Sequence, residues 1–137
     1  MKKSIKIDNI EFINIGTYIS RDDYVSRIVH NNIKITDRKS IVYVLVVDNE
    51  IMYVGKTIQG YTRPLNYHKN DVMKSVKSGI QKTLTSGQNV DVFTHEPSQI
   101  IYGDLTLDII EAIEQAMIVK HRPCWNNHIQ RIIPNMV

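Results

Sequence analysis

Residues 41–57, IVYVLVVDNEIMYVGKT, constrain the chain more than any other stretch. Two runs rich in Val, Ile and Tyr, residues 41–47 and 50–54, are joined by Asp48-Asn49, a two-residue link of hairpin chemistry, and Gly55 ends the second run. Tyr43 and Tyr53 stand among these aliphatic residues. A buried tyrosine fills volume and carries its hydroxyl to a polar partner, so both phenols fit a core, and together they also pose a question of function.

At 137 residues and 42% hydrophobic, the chain fits one compact domain that needs no covalent staple. The single cysteine, Cys124, excludes an internal disulfide and is expected to pack beside Trp125. No run approaches the roughly 18 apolar residues of a membrane span, and the N-terminus lacks the apolar segment of a signal peptide. The expectation is a protein with no membrane partner, in a cytoplasm. The net charge of +3 is unevenly spread: from Lys56 to Lys82 six basic residues (Lys56, Arg63, Lys69, Lys74, Lys77, Lys82) face one acid, Asp71. Such a run is either a solvated helix face or a surface for a polyanion.

No repeat or linker marks a domain boundary. Residues 4–19 read as one or two extended pieces, and Ser20 as the cap of a short helix over 21–30 with Asp22 and Asp23 in its first turn. Thr62 caps a second short helix that accommodates Pro64. A third helix is expected over about 72–85, closed by Gly87, then a strand over VDVFTH. A last helix is expected from about Leu107 to Lys120, with Thr106 as cap and Pro123 beyond its end. In it Leu107, Ile110, Ile113, Met117, Ile118 and His121 recur at helical spacing as the core face. Glu114 lies on that face, where a carboxylate demands a partner. The alternatives are an ion pair with an inward base such as Arg63, or a Mg²⁺ ion, which takes one or two carboxylates with phosphate oxygens and waters. Glu111 lies nearer water. His30, His95, His121 and His128 share no ligand spacing, and Trp125 reads as core.

Taken in order and spacing, IVY, YVG, YVGKTIQGYTR, RPLNY and EQAMIVKHRPCWN resemble the GIY-YIG nuclease family over residues 41–126, with Ile41 where the first motif usually has glycine. Within that family the likeness is greatest to its short phage members. The resemblance implies a small α/β (α+β) domain with a mainly antiparallel sheet of about three strands flanked by helices. Residues 41–127 would be the nuclease core, residues 1–40 an elaboration for oligomer or DNA contacts, and 128–137 a tail. It implies Tyr43 as general base, Tyr53 and Tyr67 as partners of water or phosphate, and Arg63 as the phosphate clamp. Glu114 would be the ligand of one Mg²⁺ (or Mn²⁺), with Asn126 supporting the site from its edge. Lys56 and His68 are secondary candidates, and Lys69, Lys74, Lys77 and Lys82 would meet double-stranded DNA. The function implied is an endonuclease of phage-type host DNA degradation. The alternatives are a type II restriction endonuclease of the same family, a DNA-binding module that does not cut, and a domain without nucleic-acid affinity. One such site cuts one strand, so a homodimer or homotetramer is expected.

Overall fold

A computed structural model of the chain describes residues 3–69 and 74–126. The elements are β1 (Ser4–Ile7), β2 (Ile10–Arg21), β3 (Tyr24–Val29), β4 (Ile41–Val47), β5 (Glu50–Thr57), α1 (Lys74–Thr85), β6 (Val90–His95), β7 (Ile100–Tyr102), β8 (Leu105–Leu107) and α2 (Ile110–His121). Residues 72 and 73 of the expected third helix, and the tail from 128 on, lie outside the described residues.

One piece of turn chemistry, used three times, builds most of the sheet. Asp8-Asn9, Asp22-Asp23 and Asp48-Asn49 all have positive φ at both residues, between 48° and 66°. Short Asp and Asn side chains tolerate this region, and its twist matches the flanking strands of a two-residue hairpin. The links β1–β2, β2–β3 and β4–β5 follow. The helix expected over 21–30 is therefore absent: Asp22 and Asp23 form a hairpin turn, and Tyr24–Val29 pairs back on β2 as β3.

The sheet is antiparallel throughout, in the order β1-β2-β6-β4-β5, with β3 continuing the β1 side of β2. It has six strands where about three were expected, because β1, β2 and β3 join β4, β5 and β6. β5 does not stop at Gly55 but pairs with β4 as far as Thr57. This mixed α+β architecture, a curled antiparallel sheet flanked by two helices, is of the class expected from the sequence.

All seven residues of β4 are buried because both faces of the sheet are covered. Tyr43, Leu45 and Val47 join Val76, Ile80 and Leu84 of α1 in one core. Val42, Val44 and Val46 join Ile110, Met117 and Ile118 of α2 in the other.

Two further helices depart from expectation. Residues 60–62 form a single 3-10 turn, and residues 63–69 form no α-helix. The Thr62 hydroxyl donates instead to the Ile35 carbonyl (2.8 Å), in the loop that leads to β4. The last helix begins at Ile110, not Leu107, because Leu105–Leu107 pairs with Ile100–Tyr102 in a separate hairpin. Thr106 lies in that hairpin, Leu107 is exposed, and Asp108 accepts from the Ile110 amide (3.1 Å). His121, expected on the core face, is half-buried and pairs with Asp8 (2.7 Å). Cys124 is exposed and points away from the packing role expected of it, whereas Trp125 is buried.

Candidate active site

Tyr43 and Tyr53 reach the same core for different reasons. Tyr43 follows the simple alternation of β4. Tyr53 lies beside a bulge: Leu45 pairs with Tyr53 and Val46 with Ile51, leaving Met52 as the extra residue. Met52 and Tyr53 consequently pack on one face although adjacent in sequence. Tyr67 enters from the loop before α1, and its hydroxyl lies 2.6 Å from that of Tyr43. The three rings pack with centroids 6.0–6.3 Å apart, Tyr53 edge-on to Tyr67. Space for this cluster comes from Gly55, directly across from Tyr43 in the ladder. A Cβ there would lie 2.4 Å from the Tyr43 ring.

Residues 63–67 carry Arg63 at one end and Tyr67 at the other. Arg63 is exposed, with its guanidinium carbon 5.9 Å from the centre of the Tyr67 ring. Partial burial works against its charge, but the phenols of Tyr67, Tyr43 and Tyr53 outweigh this and hold it above its ordinary value. The Tyr18 hydroxyl donates to the Pro64 carbonyl (2.6 Å) and accepts from the Tyr67 amide (3.0 Å). Arg27 donates to the Leu65 carbonyl and to Asn66 Oδ1. Neither Tyr18 nor Arg27 stands out in the sequence; only the strand register brings them to this loop.

Burial pushes both Tyr43 and Tyr53 well above the usual phenol range. Tyr67 raises both further, and Arg63 pulls both back. The charge of Glu114 also raises Tyr53, which ties the carboxylate on α2 to the phenol cluster. Glu114 is itself buried, and burial lifts its pKa against the opposing charge of Lys56, with Glu111 raising it further. Among the described residues no cation lies within ion-pair distance of Glu114, so the ion pair with Arg63 is not formed. Lys56, on β5, is exposed, as is Glu111.

After α2 the chain crosses the outer side of β5. The Trp125 amide donates to the Met52 carbonyl (2.9 Å). Asn126 accepts from the Val54 amide (3.0 Å) and donates to the Val54 carbonyl (2.9 Å). This crossing carries Trp125 from the α2 side to the α1 side, against Gly79, where a Cβ would lie 2.3 Å from the indole.

The structure thus brings Tyr43, Tyr53, Arg63 and Tyr67 together, with Glu114 near Tyr53 and Lys56, and Asn126 bracing the strand that carries them. His68 is half-buried; burial, then Arg27, Lys69 and Lys77, lower its pKa. It shares a groove of about 640 Å³ with Lys77, Ser20 and Tyr24. Lys69 is exposed in the loop. Lys74 and Lys82 are exposed on α1, at its first residue and in its last turn. A buried carboxylate with no ion-pair partner among the described residues suits a hard divalent ion completed by waters and a phosphate. Among the described residues no cluster of three or more His, Cys, Asp or Glu side chains forms a cage for a metal. None of the described helices is long and apolar enough to cross a membrane.

Among solved structures the chain is similar to a mutant of bacteriophage T4 EndoII, at 18% identity and a TM-score of 0.63, over 84% of this chain and 91% of that one. It is also similar to the restriction endonuclease HPY188I in complex with product DNA, at 17% identity and a TM-score of 0.46, over 80% of this chain and 72% of that one. At 18% identity the likeness to EndoII is one of fold. No family model and no curated protein matches the sequence.

Proposed function

We propose that this protein is a Mg²⁺- or Mn²⁺-dependent endonuclease that hydrolyses phosphodiester bonds of double-stranded DNA, with the chemistry of the GIY-YIG family. The observation that carries the reading is the Tyr43–Tyr67 hydroxyl pair at 2.6 Å, overlaid by an exposed arginine. A core built for packing alone has no use for an exposed cation set over the ring of one of two bonded phenols. The similarity of fold to bacteriophage T4 EndoII supports the same reading.

Arg63 binds the scissile phosphate, where a planar, permanently charged guanidinium makes paired hydrogen bonds to phosphate oxygens. Tyr43 accepts the proton of the attacking water, and Tyr53 and Tyr67 orient water and phosphate by hydrogen bonding. Glu114 would hold the metal ion, which when bound would polarise the phosphate and stabilise charge on the leaving oxygen. Lys56 stands beside Glu114 as a further positive group. Lys69, Lys74, Lys77 and Lys82, with His68, meet the DNA backbone through charge.

The setting this implies is degradation of host DNA in the cytoplasm of a phage-infected bacterium, with type II restriction as the alternative. Residues 43–126 form one catalytic set, so cutting both strands takes two protomers, in a homodimer or homotetramer, or two successive nicks. Plasmid incubated with the protein and Mg²⁺ should be nicked or linearised, and the Glu114→Ala variant should leave it supercoiled. A wild-type protein that binds plasmid but leaves it intact with both metals is a DNA-binding module instead. Sequenced product ends decide the setting: one repeated site means restriction, loosely related sites mean degradation.

A further inference from the structure

We propose that Tyr18 and Arg27, a cross-strand pair from the N-terminal β2–β3 hairpin, are positioning residues that fix Arg63 and Tyr67 against Tyr43. The inference rests on the nuclease reading above. Residues 63–69 form neither helix nor strand, so their backbone groups lack the partners a regular element supplies, and buried ones must find them elsewhere. Tyr18 supplies two such partners with one oxygen. Its hydroxyl joins the Pro64 carbonyl to the Tyr67 amide, closing the turn on itself. Arg27 takes the two groups between, the Leu65 carbonyl and the Asn66 side chain.

The two residues reach the same loop because they are opposite each other in the β2–β3 ladder and leave it on one face. Leu65, fully buried, rests on Gly16 of the same strand, where a Cβ would lie 2.7 Å from Leu65 Cδ2. The loop is therefore pinned at Pro64, Leu65, Asn66 and Tyr67 from one hairpin. Arg63, long and exposed, has its aim set by that backbone, and small errors of aim at a reacting phosphate lower rates steeply. Tyr18 is not itself a proton carrier. Both sides of its hydroxyl are committed to the backbone, and burial, against the Tyr67 amide hydrogen bond, holds it above the ordinary phenol range.

Single-turnover cleavage of a DNA duplex with Mg²⁺ by the full chain tests this, with amide exchange read alongside. Tyr18→Phe keeps the ring and removes the bridging oxygen. It should slow cleavage at saturating enzyme about tenfold or more, leave the half-saturating enzyme concentration within about twofold, and speed exchange at the Tyr67 amide. Arg27→Lys should fall between wild type and Arg27→Ala, since a lysine restores a charged donor but not the planar nitrogen from which both bonds leave. Wild-type cleavage rates in Tyr18→Phe would overturn the proposal. So would a rise in half-saturation that accounts for the rate loss in Arg27→Ala, since Arg27 would then be a DNA contact. A wild-type chain that cuts no DNA refutes the nuclease reading instead. Positioning is then judged by Tyr67 exchange alone, faster exchange supporting it and unchanged exchange refuting it.

Discussion

Tyr43 is the residue whose protonation the proposed chemistry depends on. Burial, then Tyr67 and Tyr53, keep its phenol neutral at physiological pH, and Arg63 works in the other direction. A base that is almost wholly protonated gains active form about tenfold per pH unit. Cleavage rate should therefore climb with a slope near one on a logarithmic scale from about pH 7 to pH 9, and a flat profile would remove Tyr43 from the role. Glu114 makes a second prediction. Its folded pKa is raised by burial, so its contribution to stability is favourable below the unfolded value and is lost as pH rises through the folded one. At pH 7 the ionised side chain is thus a burden on the folded state. Thermal melts without metal should show Glu114→Gln melting above wild type at pH 7, and the difference should shrink toward pH 4. Mg²⁺ should raise the midpoint of wild type and leave the variant unmoved. Tyr43, Tyr53, Arg63 and Glu114 were legible as candidates in the sequence because their motifs follow one another in a recognisable order and spacing. Tyr18 and Arg27 were not, because their partners lie 38 to 49 residues away and only strand register unites them.

Among the elements, β5 concentrates the constraints. Its bulge turns Tyr53 inward, its Gly55 makes room for Tyr43, and Asn126 holds Val54. Gly55→Ala should destabilise the fold by about 1–3 kcal/mol through overpacking, because the obstacle is an aromatic ring locked by its own hydrogen bond. Urea denaturation measures the loss, and cleavage should fall with it. Asn126→Ala strips partners from a buried amide and a carbonyl, a loss of about 2 kcal/mol; unchanged stability would show that water replaces the side chain. The hairpin over 41–54 and the strand VDVFTH were legible from period and turn residues. The turn Asp22-Asp23 was misread as a helix start because acids suit both settings, and only the pairing with β2 decides between them. Thr106 was misread as a helix cap and Leu107 as the first helical residue for a similar reason: so short a stretch does not distinguish one period from another.

For the whole molecule, β6 sits between β2 and β4, so the first 40 residues and the motif-bearing remainder share one sheet and one core. Removing residues 1–40 would uncover Leu65 and Tyr67, which share a core with Ile15 and Tyr18, and would leave one side of β6 unpaired. The fragment 41–137 should therefore lack a cooperative thermal transition and nuclease activity; a folded, active fragment would make the N-terminal strands dispensable. The crossing of residues 125–126 over β5 has a consequence beyond stability. The far margin of a sheet is a row of idle donors and acceptors onto which a second chain can add as a strand, the first step toward ordered aggregates. In this protein the Trp125 amide and the Asn126 carboxamide occupy that row at Met52 and Val54, imitating a short strand. The side chain that braces the site thus also shields one flank of the sheet from its own kind.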